Sequence, residues 1–207
     1  MTPMRQNRAP ALAVSLLIGL MFGNGSGAEE LNSERIERLF GNYRISVLEQ
    51  TASKRLSNLQ SVHDSLATCR TLAMVQYHSP VPAALTDAHR EILAGGSIGA
   101  TLKNHGWHVR KLNQYIGDIE APADAERLSA LMRIPVPQTL ALHAYQLDAV
   151  GDSGEYAYAT IVELHHPDYL SVDALRRLYG DHPATPLTAD RLEEIRDLAR
   201  SSMGRAP

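Results

Sequence analysis

Nine histidines lie in this chain of 207 residues, and imidazole is the side chain that both ligates metals and titrates near neutral pH. Four groups stand out: His105 with His108, His143 alone, the run His165-His166-Pro167-Asp168, and His182. In the run, Pro167 holds its predecessor extended, and Asp168 is placed to accept an imidazole N–H and orient one ring, as a general base requires. Glu163 shares a strand face with His165, because residues two apart project the same way, whereas His165 and His166 are expected to diverge. Glu163, His165, His166 and Asp168 are therefore the candidate ligand-binding residues, able to bind a cation or polarise a substrate if their face lines a cleft. The competing reading is a polar patch at the end of the sheet that caps the next helix near Asp168 or Ser171.

His105 and His108 are the candidate metal ligands, for a divalent ion such as zinc or copper. They straddle Gly106-Trp107 at a turn-to-strand junction, and residues three apart on a strand point to opposite faces, so they converge only if the turn extends past Trp107. Solvated loop histidines are the alternative. His143 sits among Leu142, Ala144 and Leu147, the setting of a hydrogen-bonded core histidine. A hairpin turn centred on Asp152-Ser153 places His143 opposite Val162 and His166 opposite Thr139, about 13 Å away at ~3.3 Å per residue, so one ion does not join His143 to His166.

Other sources of chemistry are sparse. Cys69 is the only cysteine. It makes no internal disulfide, and with no base paired to it in sequence it reads as a small buried apolar residue. Gly95-Gly96-Ser97-Ile98-Gly99, with Lys103 nearby, could aim free N–H groups at an anion. A helix precedes it, however, so phosphate-loop and dinucleotide patterns are not met, and a break that lets two helices pack closely fits better. No serine elbow, metalloprotease helix or paired-cysteine framework is present.

The elements that must position these residues follow from periodicity. Strands are predicted over 43–50, 55–62 and 70–77, the last in near-continuous apolar order that suits a strand covered on both faces. Helices follow at 86–94 and 98–104, then a strand from Trp107 to about Ile116 and a helix over 123–132. The clearest local signal is a hairpin of 139–150 and 155–164 around Gly151-Asp152-Ser153-Gly154, because two glycines tolerate positive φ. Helices over 172–179, capped by Ser171, and from Leu187 or Thr188 to about Met203 close the chain. Strands come in adjacent groups, which predicts the α+β class: a mainly antiparallel sheet of about five or six strands with helices packed on one face.

Export is the expectation for the N-terminus. Arg5 and Arg8 precede an uncharged apolar run of 14 residues, Ala9 to Phe22, shorter than the ~20 residues a membrane-spanning helix needs. Ser26 and Ala28 then supply the small side chains a signal peptidase accepts. Residues 1–28 are thus predicted to be a secretory signal and 29–207 a single domain, loose at 29–33 and 203–207, working in the periplasm or secreted without a stable membrane span. Cleavage removes two arginines from 20 basic groups against 23 acidic, leaving 18 against 23. With no Lys/Arg cluster, that balance argues against nucleic acid or an anionic membrane as partner. Two functions stand: a non-catalytic exported domain that binds a protein partner or small ligand, and a small metal-dependent or acid/base hydrolase built on the Glu163/His165/His166/Asp168 region. The absence of a complete catalytic constellation favours the first.

Overall fold

The structure is a computed structural model that describes residues 30–180, 183 and 186–204. The expected signal segment 1–28 and His182 lie outside the described residues. In chain order the elements are α1 (Asn32–Phe40), β1 (Arg44–Gln50), β2 (Lys54–His63), β3 (Leu66–Tyr77), α2 (Thr86–Leu93), α3 (Ile98–Asn104), β4 (His108–Ala121), α4 (Glu126–Met132), β5 (Gln138–Gly151), β6 (Gly154–His165), α5 (Val172–Tyr179) and α6 (Ala189–Met203). All six strands join one antiparallel sheet in the order β1-β2-β3-β6-β5-β4. Two three-stranded meanders therefore meet where β3 pairs with β6, and α2 and α3 carry the chain from one to the other. The α+β class holds.

Turn chemistry sets the hairpins. Gly151 pairs with Gly154 across Asp152-Ser153 as the sequence predicts. The β2–β3 turn uses Asp64 and Ser65, both at positive φ, the conformation that matches the twist of the flanking strands. Ser171 and Thr188 cap α5 and α6 by accepting from the backbone N–H of Ala174 and Arg191, each at 3.2 Å.

The helices, expected on one face of the sheet, cover both. On one face Leu72, Leu140, Leu142, Ala144, Val162 and Leu164 meet Leu128 and Met132 of α4 and Ile195, Ala199 and Met203 of α6. On the other, Val75, Tyr145, Leu147 and Ile161 meet Ala88 and Ile92 of α2 and Leu102 of α3, while Leu59, Ala73 and Ala141 meet Ile36 of α1 and Leu175 of α5. The physical reason is composition: β3, β5 and β6 carry apolar residues at both parities, and a strand of that kind is stable only when buried on both sides. Cys69 is fully buried in the first of these cores. Burial pushes its thiol well above the ordinary value, leaving no thiolate for chemistry.

At the start of the domain Leu31 and Asn32 are buried, and α1 ends at Gly41, whose φ of 76° closes the helix in the way glycine favours. At the other end Met203 is buried. Strand β4 also continues past Ile116 to Ala121, because its residues pair with β5 as far as Gln138. Among the described residues no helix is long and apolar enough to cross a membrane.

Candidate functional site

A register slip builds the centre of the site. In β6, Leu147 pairs with Ala159 but Asp148 pairs with Ala157, so Tyr158 is an extra residue in the strand, a β-bulge. Beyond it every partner moves by one, and His143 stands opposite Glu163 instead of Val162. His165, two residues further along β6, projects from the same face as Glu163. One donor atom from each of His143, Glu163 and His165 lies within 4.8 Å of the other two. All three side chains are buried, at 0%, 3% and 1% exposure.

Each of the three is held by a partner from another element. His143 Nε2 lies 2.8 Å from Asn113 Oδ1 on β4, and an amide oxygen only accepts, so this nitrogen carries the proton. The ring is stacked on Tyr179 of α5, with centroids 4.5 Å apart. His165 Nδ1 meets Thr71 Oγ1 of β3 at 3.1 Å. Glu163 Oε1 accepts from Asn32 Nδ2 at 3.1 Å and from the Tyr145 hydroxyl at 3.2 Å. Asn32 also donates to Thr71 and accepts from the Tyr169 hydroxyl at 2.5 Å, so α1 is pinned to the sheet through this network.

What the network leaves open is specific. His143 Nδ1 and His165 Nε2 are buried and have no hydrogen-bond partner. Glu163 Oε2 stands 3.6 Å from His165 Nε2, beyond hydrogen-bond range. Burial holds the His165 imidazolium down to about 3, helped by the positive charges of Lys111 and Arg35. Burial first, then Lys111, also holds His143 well below its ordinary value. Both rings are therefore neutral at neutral pH, and a neutral imidazole keeps a lone pair on its unprotonated nitrogen.

Next to this cluster the α1/α3 side of the sheet is hollowed into a recess of about 80 Å³, several times the ~10–15 Å³ that a water molecule needs. Most of its wall is apolar surface, supplied by side chains such as Ile45, Val75 and Ile161. Glu163, Lys111 and Arg55 bring charge to it. Arg55 is 1% exposed and donates to Ser57 Oγ and to the carbonyls of Ile92 and Gly96. The two carbonyls lie at and just beyond the end of α2, where a cation suits the helix dipole. No carboxylate is among these partners, and Nη2 has none at all.

Of the residues expected to form a site, the structure brings Glu163 and His165 together and separates the rest. His166 turns to the α4 face, donates from Nε2 to the carbonyl of Met132 at 3.0 Å and accepts the Asp168 backbone N–H on Nδ1, also at 3.0 Å. The Asp168 carboxylate is 4.0 Å from that ring and 82% exposed. His105 pairs with Glu91 of α2 at 3.0 Å, and His108 is exposed at the start of β4. Among the described residues neither belongs to a group of three potential metal ligands; the single group of that kind is His143, Glu163 and His165. At the glycine-rich loop, a Cβ on Gly96 would stand 2.7 Å from Thr101 Oγ1, and Lys103 is bound to Glu34. The loop is thus a close helix–helix turn whose carbonyl serves Arg55.

His143, Asn32, Lys111, Tyr145 and Arg55 were not legible as site residues. For Arg55 a signal existed: it falls at an inward position of β2, in step with Ser57 and Leu59. The chain matches no family model and no curated protein.

Proposed function

We propose that this protein is a non-catalytic domain that acts outside the cytoplasm and binds a small amphipathic ligand bearing a carboxylate in the recess between the sheet and α1/α3. The observation that carries the reading is Arg55, a guanidinium buried in a largely apolar wall with one nitrogen unpartnered and no acid among its hydrogen-bond partners. An unpaired charge in such a place costs several kcal/mol on general grounds, and a ligand carboxylate would offset that cost with a charge-assisted hydrogen bond. Lys111 adds a second cation to the lining, and the apolar wall suits the apolar part of the ligand. A hydrolase using Glu163, His165, His166 and Asp168 is less well supported, because His166 is engaged on both nitrogens on the other face and Asp168 points into water.

The test compares decanoate with decanol by calorimetric titration. Decanoate is expected to bind at one site and raise the melting temperature, with decanol at least about tenfold weaker, the ratio that ~1.4 kcal/mol of charge recognition gives. Arg55→Gln should abolish that preference, and Ile98→Trp, which fills the recess, should abolish binding. Equal affinity for acid and alcohol, or no binding of either, would overturn the proposal.

A further inference from the structure

We propose that His143, Glu163 and His165 form a binding site for one divalent first-row transition-metal ion of the zinc type. The inference does not depend on the ligand proposed for the recess. Three donors from two adjacent strands already converge, with one atom of each within 4.8 Å of the others. Ligands on zinc at ~2.0–2.1 Å in tetrahedral array stand about 3.3 Å apart, and Glu163 Oε2 and His165 Nε2 are 3.6 Å apart. The nitrogens left without partners are the ones such an ion would take: His143 Nδ1 and His165 Nε2. The other ring nitrogens, and the other carboxylate oxygen, are engaged by Asn113, Thr71, Asn32 and Tyr145, the outer partners that orient ligands in metal sites and fix the imidazole tautomer.

The donor set selects the class of ion. Two imidazoles and one carboxylate suit zinc, cobalt, nickel, copper or iron, whereas calcium and magnesium prefer an all-oxygen shell. Neutral imidazoles are needed, and each ring presents a buried nitrogen without a hydrogen-bond partner. Lys111 and Arg35 oppose a cation here, and both act on the two rings. Arg35 is already paired with Glu30 at 3.0 Å. The surplus positive charge favours an anion, hydroxide or carboxylate, as the further ligand on the ion.

The experiment uses the purified protein without an affinity tag, stripped with chelator and titrated with zinc and, separately, with cobalt(II). One equivalent of zinc is expected, with a rise in melting temperature that chelator reverses, and cobalt should give the intense visible bands of a four- or five-coordinate ion. Zinc should shift the imidazole ¹⁵N resonances of His143 and His165 in the unmutated protein and leave those of His105 and His108 in place. His165→Gln should lower zinc affinity at least about tenfold, as should Asn113→Ala through its effect on the His143 ring. The double variant His105→Gln/His108→Gln should bind as the parent does. The proposal is overturned if the folded parent takes up no stoichiometric zinc, or if zinc moves the His105 and His108 resonances instead. Because the resonance readout needs no variant, a His165→Gln chain that failed to fold would leave the test intact.

Discussion

The two faces of this sheet are made by the same strands yet do different things. Toward α4 and α6, strands β5 and β6 project Leu142, Ala144, Val162 and Leu164 into an aliphatic core, and the histidine on that side, His166, has both nitrogens hydrogen-bonded. Toward α1 and α5, the intervening positions are His143, Tyr145, Glu163 and His165, with two nitrogens unpartnered. A buried polar atom without a partner costs about 1–3 kcal/mol. One face is therefore organised for stability, and the other holds groups that stability alone does not explain.

The largest expected effect would break that contrast if it failed to appear. Leu142→Ala empties a fully buried site on the aliphatic face and should lose roughly 2–5 kcal/mol in a denaturant titration. The neighbouring change His143→Phe points to the other face. It removes an unpartnered nitrogen, keeps a ring to stack on Tyr179, and leaves half-buried Asn113 able to bond water. Its cost should stay within about 1 kcal/mol, since replacing a buried polar group by an apolar one of similar shape can be nearly neutral. A loss from His143→Phe as large as that from Leu142→Ala would show that the polar network is itself a main support of the fold.

A smaller effect separates the faces by pH. The folded-state pKa of His165 is lowered, to about 3, and that of His143 is lowered as well, so the unfolded chain binds protons that the folded chain does not. Stability from this source is complete above the unfolded value near 6.5 and falls as the pH drops from there toward 3. The slope is at most about 1.4 kcal/mol per pH unit for each ring. His165→Gln should flatten the acid limb of a stability–pH profile by roughly one such increment. His166, buried as well but with its pKa lowered less decisively, should contribute less, and an acid limb unchanged in His165→Gln would remove the assignment.

How far the site was legible follows from the same residues. Period two placed Glu163 and His165 on one face, and Gly151-Asp152-Ser153-Gly154 marked the hairpin that carries them, because both are local rules. The partner of His143 was not legible, since a bulge at Tyr158 has no residue signature and a slip of one residue changes every pair beyond it. Helix α1 is not among the elements the periodicity predicts; its Asn32 and Arg35 are buried against Glu163, Thr71 and Tyr179. Polar residues buried by long-range partners leave no periodic trace. The double coverage of the sheet was legible in the apolar run of β3, whereas element order alone carries no information about which faces are covered.

The smallest expected effect sharpens the comparison at Asp168. In sequence, Asp168 looks like the carboxylate that orients a histidine; in the fold its backbone N–H does the orienting, donating to His166 Nδ1, while the carboxylate lies exposed at 4.0 Å. Asp168→Ala keeps that N–H. It should leave the His166 tautomer, read from imidazole ¹⁵N shifts, and the melting temperature indistinguishable from the parent, as surface changes away from caps and networks usually do. Thr71→Val is the matched change on the other face: it removes the hydroxyl bonded to His165 Nδ1 at nearly constant shape. It should shift the His165 resonances and destabilise by about 1–3 kcal/mol, since that nitrogen would be left buried and unpaired. If Asp168→Ala moved the His166 signals as far as Thr71→Val moves those of His165, the end of β6 would be a coupled carboxylate–histidine pair, and the division of labour between the faces would not hold there.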